Sequence, residues 1–165
     1  LQSKPDDISD LDGVELLKNK VSKIWMMAGK WDKKPHKENN FARNERSRVA
    51  ANIFCDICPV PITFLGWEVG ESVITGDNLD KNDPLYLALC DHGSSYGRSS
   101  WDPMLCLLAL IGDEEKAGYS VVHGKGSVDA TTGENCFVSN PNGLHSYVVK
   151  EKEDSYYADA INKLI

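Results

Sequence analysis

The sequence predicts an α/β domain built on a largely parallel sheet, and three observations lead there. Two short runs, Ile24-Trp25-Met26-Met27 and Ile62-Thr63-Phe64-Leu65, are apolar almost throughout, as strands buried on both faces are. Segments with apolar residues at helical spacing alternate with these runs. Such alternation of helix with apolar strand is the pattern of parallel α/β sheets. Towards the C-terminus apolar and polar residues alternate between Gly-containing turns, which predicts an antiparallel hairpin beside that sheet.

The elements follow in order. Ser9 with Asp12 resembles a capping pair, and Leu11, Val14, Leu17 and Val21 mark a first helix. The strand Ile24–Met27 stops at Ala28-Gly29, and a polar loop with Lys33, Lys34 and Lys37 runs from Lys30 to Arg43. Asn44 caps a second helix with Val49, Ile53, Phe54 and Ile57 as its inner face. Pro59 ends that helix, and the second buried strand, Ile62–Leu65, ends at Gly66. Asp83-Pro84 opens a helix to about Cys90, and a Gly/Ser-rich stretch from Gly93 to Ser100 follows. Asp102-Pro103 then starts a helix, Met104 to Ile111, apolar on nearly every face and expected to be buried. Tyr119–His123, Gly126–Ala130 and Cys136–Val138 read as a meander turning at Thr132-Gly133, with Gly124-Lys125-Gly126 as a strand-edge turn. Leu144–Val149 is one more strand, and Asp154 caps a last helix with Tyr157, Ile161 and Leu164 inward. No repeat or linker divides residues 1–165, which form one domain or part of one.

Composition removes several classes of function. The 25 acidic and 18 basic residues give a net charge of −7, against the basic face that displacing phosphate counterions requires, so no nucleic-acid partner is expected. No apolar run approaches the length of a membrane span, and no targeting segment opens the chain. The five cysteines are odd in number and scattered, unlike a disulfide framework. Cys55 and Cys58 form a C-x-x-C at the end of a helix, where the dipole disfavours a thiolate, and no second ligand pair suggests zinc. Buried structural thiols are expected, with a reducing, cytoplasmic setting weakly favoured; no N-x-[ST] sequon occurs.

Two loops carry polar residues where strands end and helices begin, the positions at which open α/β sheets bind ligands. The first holds Asp32, Glu38, Asn39 and Asn40. Carboxylates and amides so close together suit sugar hydroxyls, which donate and accept; a solvated loop with Asn turns uses the same residues. The second is Ser99-Ser100-Trp101-Asp102-Pro103. Asp-Pro is good helix-start chemistry in itself. Trp101 behind a Gly/Ser segment also suits stacking on a planar ring under a moving lid, and Asp102 suits a hard cation such as Ca²⁺ if further ligands join it. The other tryptophans read as packing residues, and His36, His92, His123 and His145 lack metal-ligand spacing.

In their order these residues resemble the C-terminal half of the inosine/uridine-preferring nucleoside hydrolases. Met27-Ala28-Gly29 is similar to the family's Met-Gly-Gly after a central strand. Glu38-Asn39-Asn40-Phe41 resembles its Glu-Phe-Asn ribose motif, with the Ala-rich helix Arg48–Asn52 after it. Pro61–Phe64 resembles the next strand, and Trp101-Asp102-Pro103 the late motif in its purine-specific Trp form.

The resemblance implies a mostly parallel, Rossmann-like sheet flanked by helices, with a C-terminal antiparallel hairpin and helix. It implies hydrolysis of the N-glycosidic bond of purine ribonucleosides by metal-activated water, through an oxocarbenium-like transition state. Glu38 and Asn40 would bind ribose hydroxyls and Met27 would line the 5′ side. Asp102 would ligate Ca²⁺ and touch the sugar, and Trp101 would stack on the departing base. The sequence departs from the family pattern in three places. No Asn lies between Met27 and Glu38, which leaves Asp32 as the nearest substitute, and Asn39 stands where the family has Phe. The Asp-rich motif that supplies the main Ca²⁺ ligands and the base is absent, and the chain starts at Leu1. The expectation is therefore a C-terminal part, inactive alone, whose partners are a nucleoside, a companion N-terminal chain or fragment and, when complete, further copies of itself. The alternative is a degenerate, non-catalytic homologue used for ligand binding or structure; a third is an unrelated α/β domain with imitating loops.

Overall fold

A computed structural model describes residues 1–32 and 35–165; Lys33 and Lys34 of the expected polar loop lie outside the described residues. The chain folds around a six-stranded mixed sheet flanked by helices. In chain order it forms α1 (Gly13–Lys20), β1 (Ile24–Met27), β2 (His36–Lys37), α2 (Asn39–Ala42), α3 (Glu45–Ile57), β3 (Ile62–Leu65) and α4 (Trp67–Gly70). These are followed by β4 (Ile74–Thr75), α5 (Pro84–Asp91), β5 (Arg98–Ser99), α6 (Trp101–Ile111), β6 (Tyr119–Val128), β7 (Glu134–Ser139), β8 (His145–Lys150) and α7 (Asp154–Asn162).

The sheet order is β1-β3-β8-β6-β7-β2, with β4 and β5 as a separate pair. β1, β3 and β8 run parallel. β6, β7 and β2 extend the sheet in antiparallel pairings, so the C-terminal hairpin belongs to the same sheet. The two-residue alternation of strands sorts the side chains onto two faces. Ile24, Met26, Ile62, Phe64 and Tyr147 pack with Phe41 of α2 and Ala51 and Cys55 of α3. Trp25, Met27, Leu65 and Val148 pack with Val69 of α4, Met104 and Leu108 of α6 and Tyr157 and Ile161 of α7.

Several local expectations shift by a few residues. Asp12 caps α1 and forms a capping box with Glu15, whereas Ser9 lies outside it. β3 is buried at all four positions, but β1 is only half-buried because it is the open edge of the sheet. Asn44 caps α3 as expected, yet its buried residues are Ala51 and Cys55, and Val49 and Ile57 are exposed. The helix expected with Asp102 at its N-cap starts two residues earlier, with Ser100 at the N-cap. It buries only Met104 and Leu108, and Leu110 is 83% exposed, so all-round apolarity did not mean all-round burial. Gly124–Gly126 lies inside β6, not at a turn. The turn falls at Asp129–Gly133, where Asp129 Oδ1 accepts from the N–H groups of Thr131 and Thr132. Glu153, not Asp154, occupies the N-cap of α7, and Leu164 is exposed.

The C-x-x-C thiols are buried, as structural cysteines are. Burial pushes the Cys55 thiol up to about 12, and Lys125 offsets this only in part. The Lys125 ammonium donates to the carbonyls of Cys55 (2.5 Å) and Asp56 (3.1 Å), capping the end of α3. Cys106 and Cys136 are exposed. Iodoacetamide at pH 8 should therefore label Cys106 and Cys136 in the native protein, and Cys55 and Cys58 only after denaturant, as read by peptide mass spectrometry. Native labelling of Cys55 at the rate of Cys106 would contradict its burial.

Candidate functional site

The expected sugar-binding residues meet at the carboxyl end of β1. Glu38 precedes α2 as its N-cap, and its Oε1 accepts the Asn40 N–H at 2.9 Å. Its Oε2 accepts the Gly29 N–H at 2.9 Å, and the side chain is buried. Asn40 is exposed, and its Nδ2 donates to the Met27 carbonyl (3.1 Å) and lies 3.2 Å from the Met27 sulfur. Met27 and Asn40 share the wall of an open cavity of about 350 Å³, lined also by Ala28, Phe41 and residues of α3.

The segment leaving β1 has its peptide groups held by two residues of α4 and one of β7 as well as by Glu38. The Gly29 carbonyl accepts the Trp67 N–H at 2.8 Å. The Lys30 N–H donates to Asn135 Oδ1 (3.3 Å), and the Lys30 carbonyl accepts from Asn135 Nδ2 (2.7 Å). The Trp31 N–H donates to Glu68 Oε1 (3.2 Å), and its indole N–H donates to the Ala28 carbonyl (3.0 Å). Gly29 has φ +80° with the Trp31 ring against its α-carbon; both conditions call for glycine.

Asp32 is exposed and stands 3.7 Å from the Lys30 ammonium. Lys30 is buried with its ammonium 4.2 Å from the Trp67 ring centroid, a cation–π arrangement. Trp67 in turn stacks on Trp101, centroids 6.4 Å apart at 28°. The Trp101 indole N–H donates to the Trp67 carbonyl at 2.6 Å. A Cβ on Gly70 would stand 2.6 Å from the Trp101 ring, so the bare α-carbon there makes room for the indole.

Trp101 and Asp102 open onto a different cavity, about 320 Å³, with Thr75, Arg98 and Ser100 among its polar lining and Leu85, Leu89 and Ile161 among its apolar. The structure thus places Met27 and Asn40 on the wall of one cavity, with Glu38 buried behind them on the Gly29 and Asn40 N–H groups, and Trp101 and Asp102 on another. The Lys30–Trp67–Trp101 stack runs from the segment after β1 to the second cavity, which Trp101 lines. The Gly/Ser stretch is not free up to Trp101. Arg98–Ser99 pairs with Ile74–Thr75, and buried Ser100 shares a 2.7 Å hydrogen bond with Thr75. A lid would be confined to the residues before Arg98.

Asp102 is exposed at the second residue of α6, and its own surroundings do not make a calcium site. Ca²⁺ takes six to eight oxygens, whereas here Arg98 lines the same cavity and the Thr75 and Ser100 hydroxyls satisfy each other. Among the described residues no group of three or more His, Cys, Asp or Glu could hold a metal ion. No helix among them is long and apolar enough to cross a membrane. A further cavity, about 750 Å³, lies between Asp113–Val121 and Glu151–Lys152 and holds none of the expected residues.

Two residues around the β1 segment escaped the sequence reading. Glu68 sits three residues past the end of β3, the same strand-end position that singled out the loop after β1. Burial is the main cause that raises its carboxyl above the ordinary value, and nearby Asp32 adds to it; its own and the Trp31 N–H and Lys30 oppose. Asn135 lies within β7 and is fully buried, and nothing in the local sequence marks it. No protein-family model, no curated protein and no solved structure matches this chain.

Proposed function

We propose that this chain supplies the sugar- and base-contacting part of a nucleoside hydrolase that splits the N-glycosidic bond of purine ribonucleosides. The observation that supports this reading most is the meeting of Met27, Glu38 and Asn40 at the carboxyl end of a parallel strand, beside a cavity of about 350 Å³. Each Glu38 oxygen has a lone pair beyond its one backbone bond, and Asn40 offers an exposed amide, a set that suits vicinal hydroxyls. Asp32 lies farther along the same segment, beside the Lys30 ammonium and outside the lining of that cavity. Trp101 offers an indole for the base, stiffened by Trp67 behind it.

In such a reaction the C1′–N bond breaks and its electron pair leaves with the base. A water oxygen bonds to C1′, and the two protons of that water end on the ribose hydroxyl and the base. Asp102 would contribute one carboxylate to a Ca²⁺ ion whose other ligands come from a companion chain or fragment. β1, half-buried at the open edge of the sheet, is where further strands of such a companion would join. This chain's own residues hold and orient the nucleoside.

Calorimetric titration with inosine and uridine tests the reading. Trp101→Ala should weaken purine binding about tenfold, the scale of one lost base–aromatic stack, and pyrimidine binding less. Equal losses would remove the stacking role. A second reading, a binding subunit without turnover, is favoured by the commitment of both Glu38 oxygens to backbone N–H groups. Inosine bound but never hydrolysed, with Ca²⁺ and an acidic companion segment supplied, would select it.

A further inference from the structure

Two buried side-chain polar atoms lack a hydrogen-bond partner among the described residues, Arg48 Nε and Glu68 Oε2. Glu68 is the one that bonds to the segment after β1. Its side chain folds back over Gly66, where a Cβ would stand 2.5 Å from both carboxyl oxygens. Oε1 accepts the Trp31 N–H, and Oε2 is shut from solvent with no partner among the described residues. Lys30 and Asp32 face it from the segment after β1, and Tyr147 faces it from β8. Acid, base and phenol thus cluster along the three parallel strands of the sheet.

We propose that Glu68 is a positioning residue for the Gly29–Asp32 segment, and that gain or loss of its proton sets how tightly the site holds its ligand. The ligand half of this inference rests on the nucleoside reading above; the positioning half does not.

Glu68 acts through Trp31. As a carboxylate it gives the Trp31 N–H a charge-assisted acceptor, about twice as strong as a neutral one. It also draws in the Lys30 ammonium and repels Asp32. Once protonated it holds Trp31 less firmly and leaves Lys30 to Asp32. The same burial that shuts Oε2 from water favours the proton, as the raised carboxyl shows. A raised carboxyl gives stability that is complete below the unfolded value and is lost as pH rises through the folded one. Ligand binding should move the other way, tightening over that window as the segment is anchored. A side chain with a merely structural role would move both together.

The Trp31 amide, followed by ¹H–¹⁵N NMR on the whole chain between pH 4 and 8, tests the positioning half. Its shift should titrate with a midpoint above the ordinary carboxylate range. Glu68→Gln, which keeps the acceptor shape, should abolish that titration, and Asp32→Asn should lower its midpoint. A Trp31 titration unchanged in Glu68→Gln would overturn the proposal, as would a midpoint at the ordinary value. Inosine titrated calorimetrically at the two ends of the range should bind wild type roughly fivefold tighter at the high end, and Glu68→Gln equally at both. Wild-type affinity independent of pH would refute the ligand half. No inosine binding at any pH would defeat the nucleoside reading instead, with the Trp31 titration still deciding the positioning role.

Discussion

Glu38→Ala is expected to destabilise the fold by about 2–4 kcal/mol and to abolish ribose binding at the site. The carboxylate satisfies two backbone donors at once, the Gly29 N–H behind β1 and the Asn40 N–H that opens α2. Alanine leaves the first unpaired at a buried glycine and removes the N-cap of α2. An orphaned buried donor costs roughly 1–3 kcal/mol and a lost cap about 1 kcal/mol. Urea unfolding gives the stability term, and ribose calorimetry at a temperature where the variant stays folded gives the binding term. Glu38→Gln separates the two roles. An amide carries one oxygen, so it can accept from one of the two N–H groups while its NH₂ confronts the other. Most of the stability loss should persist despite nearly unchanged volume. Full stability in Glu38→Gln would mean that the two backbone bonds contribute little.

Asn135→Ala should cost a similar amount, about 2–4 kcal/mol, although the residue lies on the opposite side of the sheet's sequence. Its amide matches the Lys30 peptide group donor to acceptor and acceptor to donor, as a neighbouring strand would. Alanine orphans both Lys30 groups in a fully buried setting, where each unsatisfied group carries its desolvation penalty. Asn135 also sits between β6 and β2, opposite Val128 and His36, so the vacated space is walled by strands on both sides. Hydrogen exchange should show the loss first at Lys30 and Trp31, ahead of global unfolding. Protection there equal to wild type would mean that the segment is held well enough by Glu38, Trp67 and Glu68.

Both predictions concern side chains that replace missing strand neighbours. After Met27 the chain leaves β1, yet its peptide groups remain buried and must find partners. Glu38 arrives nine residues later in the chain, Glu68 thirty-seven and Asn135 one hundred and five. The first is within reach of a local reading and the last is not. Glu38 and Asn40 stood out because carboxylate and amides cluster where an apolar strand has just ended. Glu68 also follows an apolar strand, but as a lone carboxylate between Trp67 and Val69 with no amides beside it to mark a polar cluster.

The helices repeat the lesson on a smaller scale. Asp12-x-x-Glu15 is written in the sequence as a capping box, since both partners lie within one turn. The exposure of Leu110 on α6 is not written there. The apolar run is long enough for a helix, but which side faces the sheet depends on where β1 and α7 lie.

What the sequence determined by itself was whatever depends on neighbours a few residues apart. That includes the two apolar strands with their helices, the turn at Gly133, the Asn44 cap, and the residue types gathered after β1. The tertiary structure alone decided that β8 joins β3 in parallel, that β1 is an open edge, and that Trp101 rests on Trp67. It also decided that Glu68 and Asn135 hold the β1 segment. Local periodicity and capping arise from bonds within one turn or one strand, whereas these pairings form between residues dozens of positions apart. They are selected by the burial of both faces of the sheet at once.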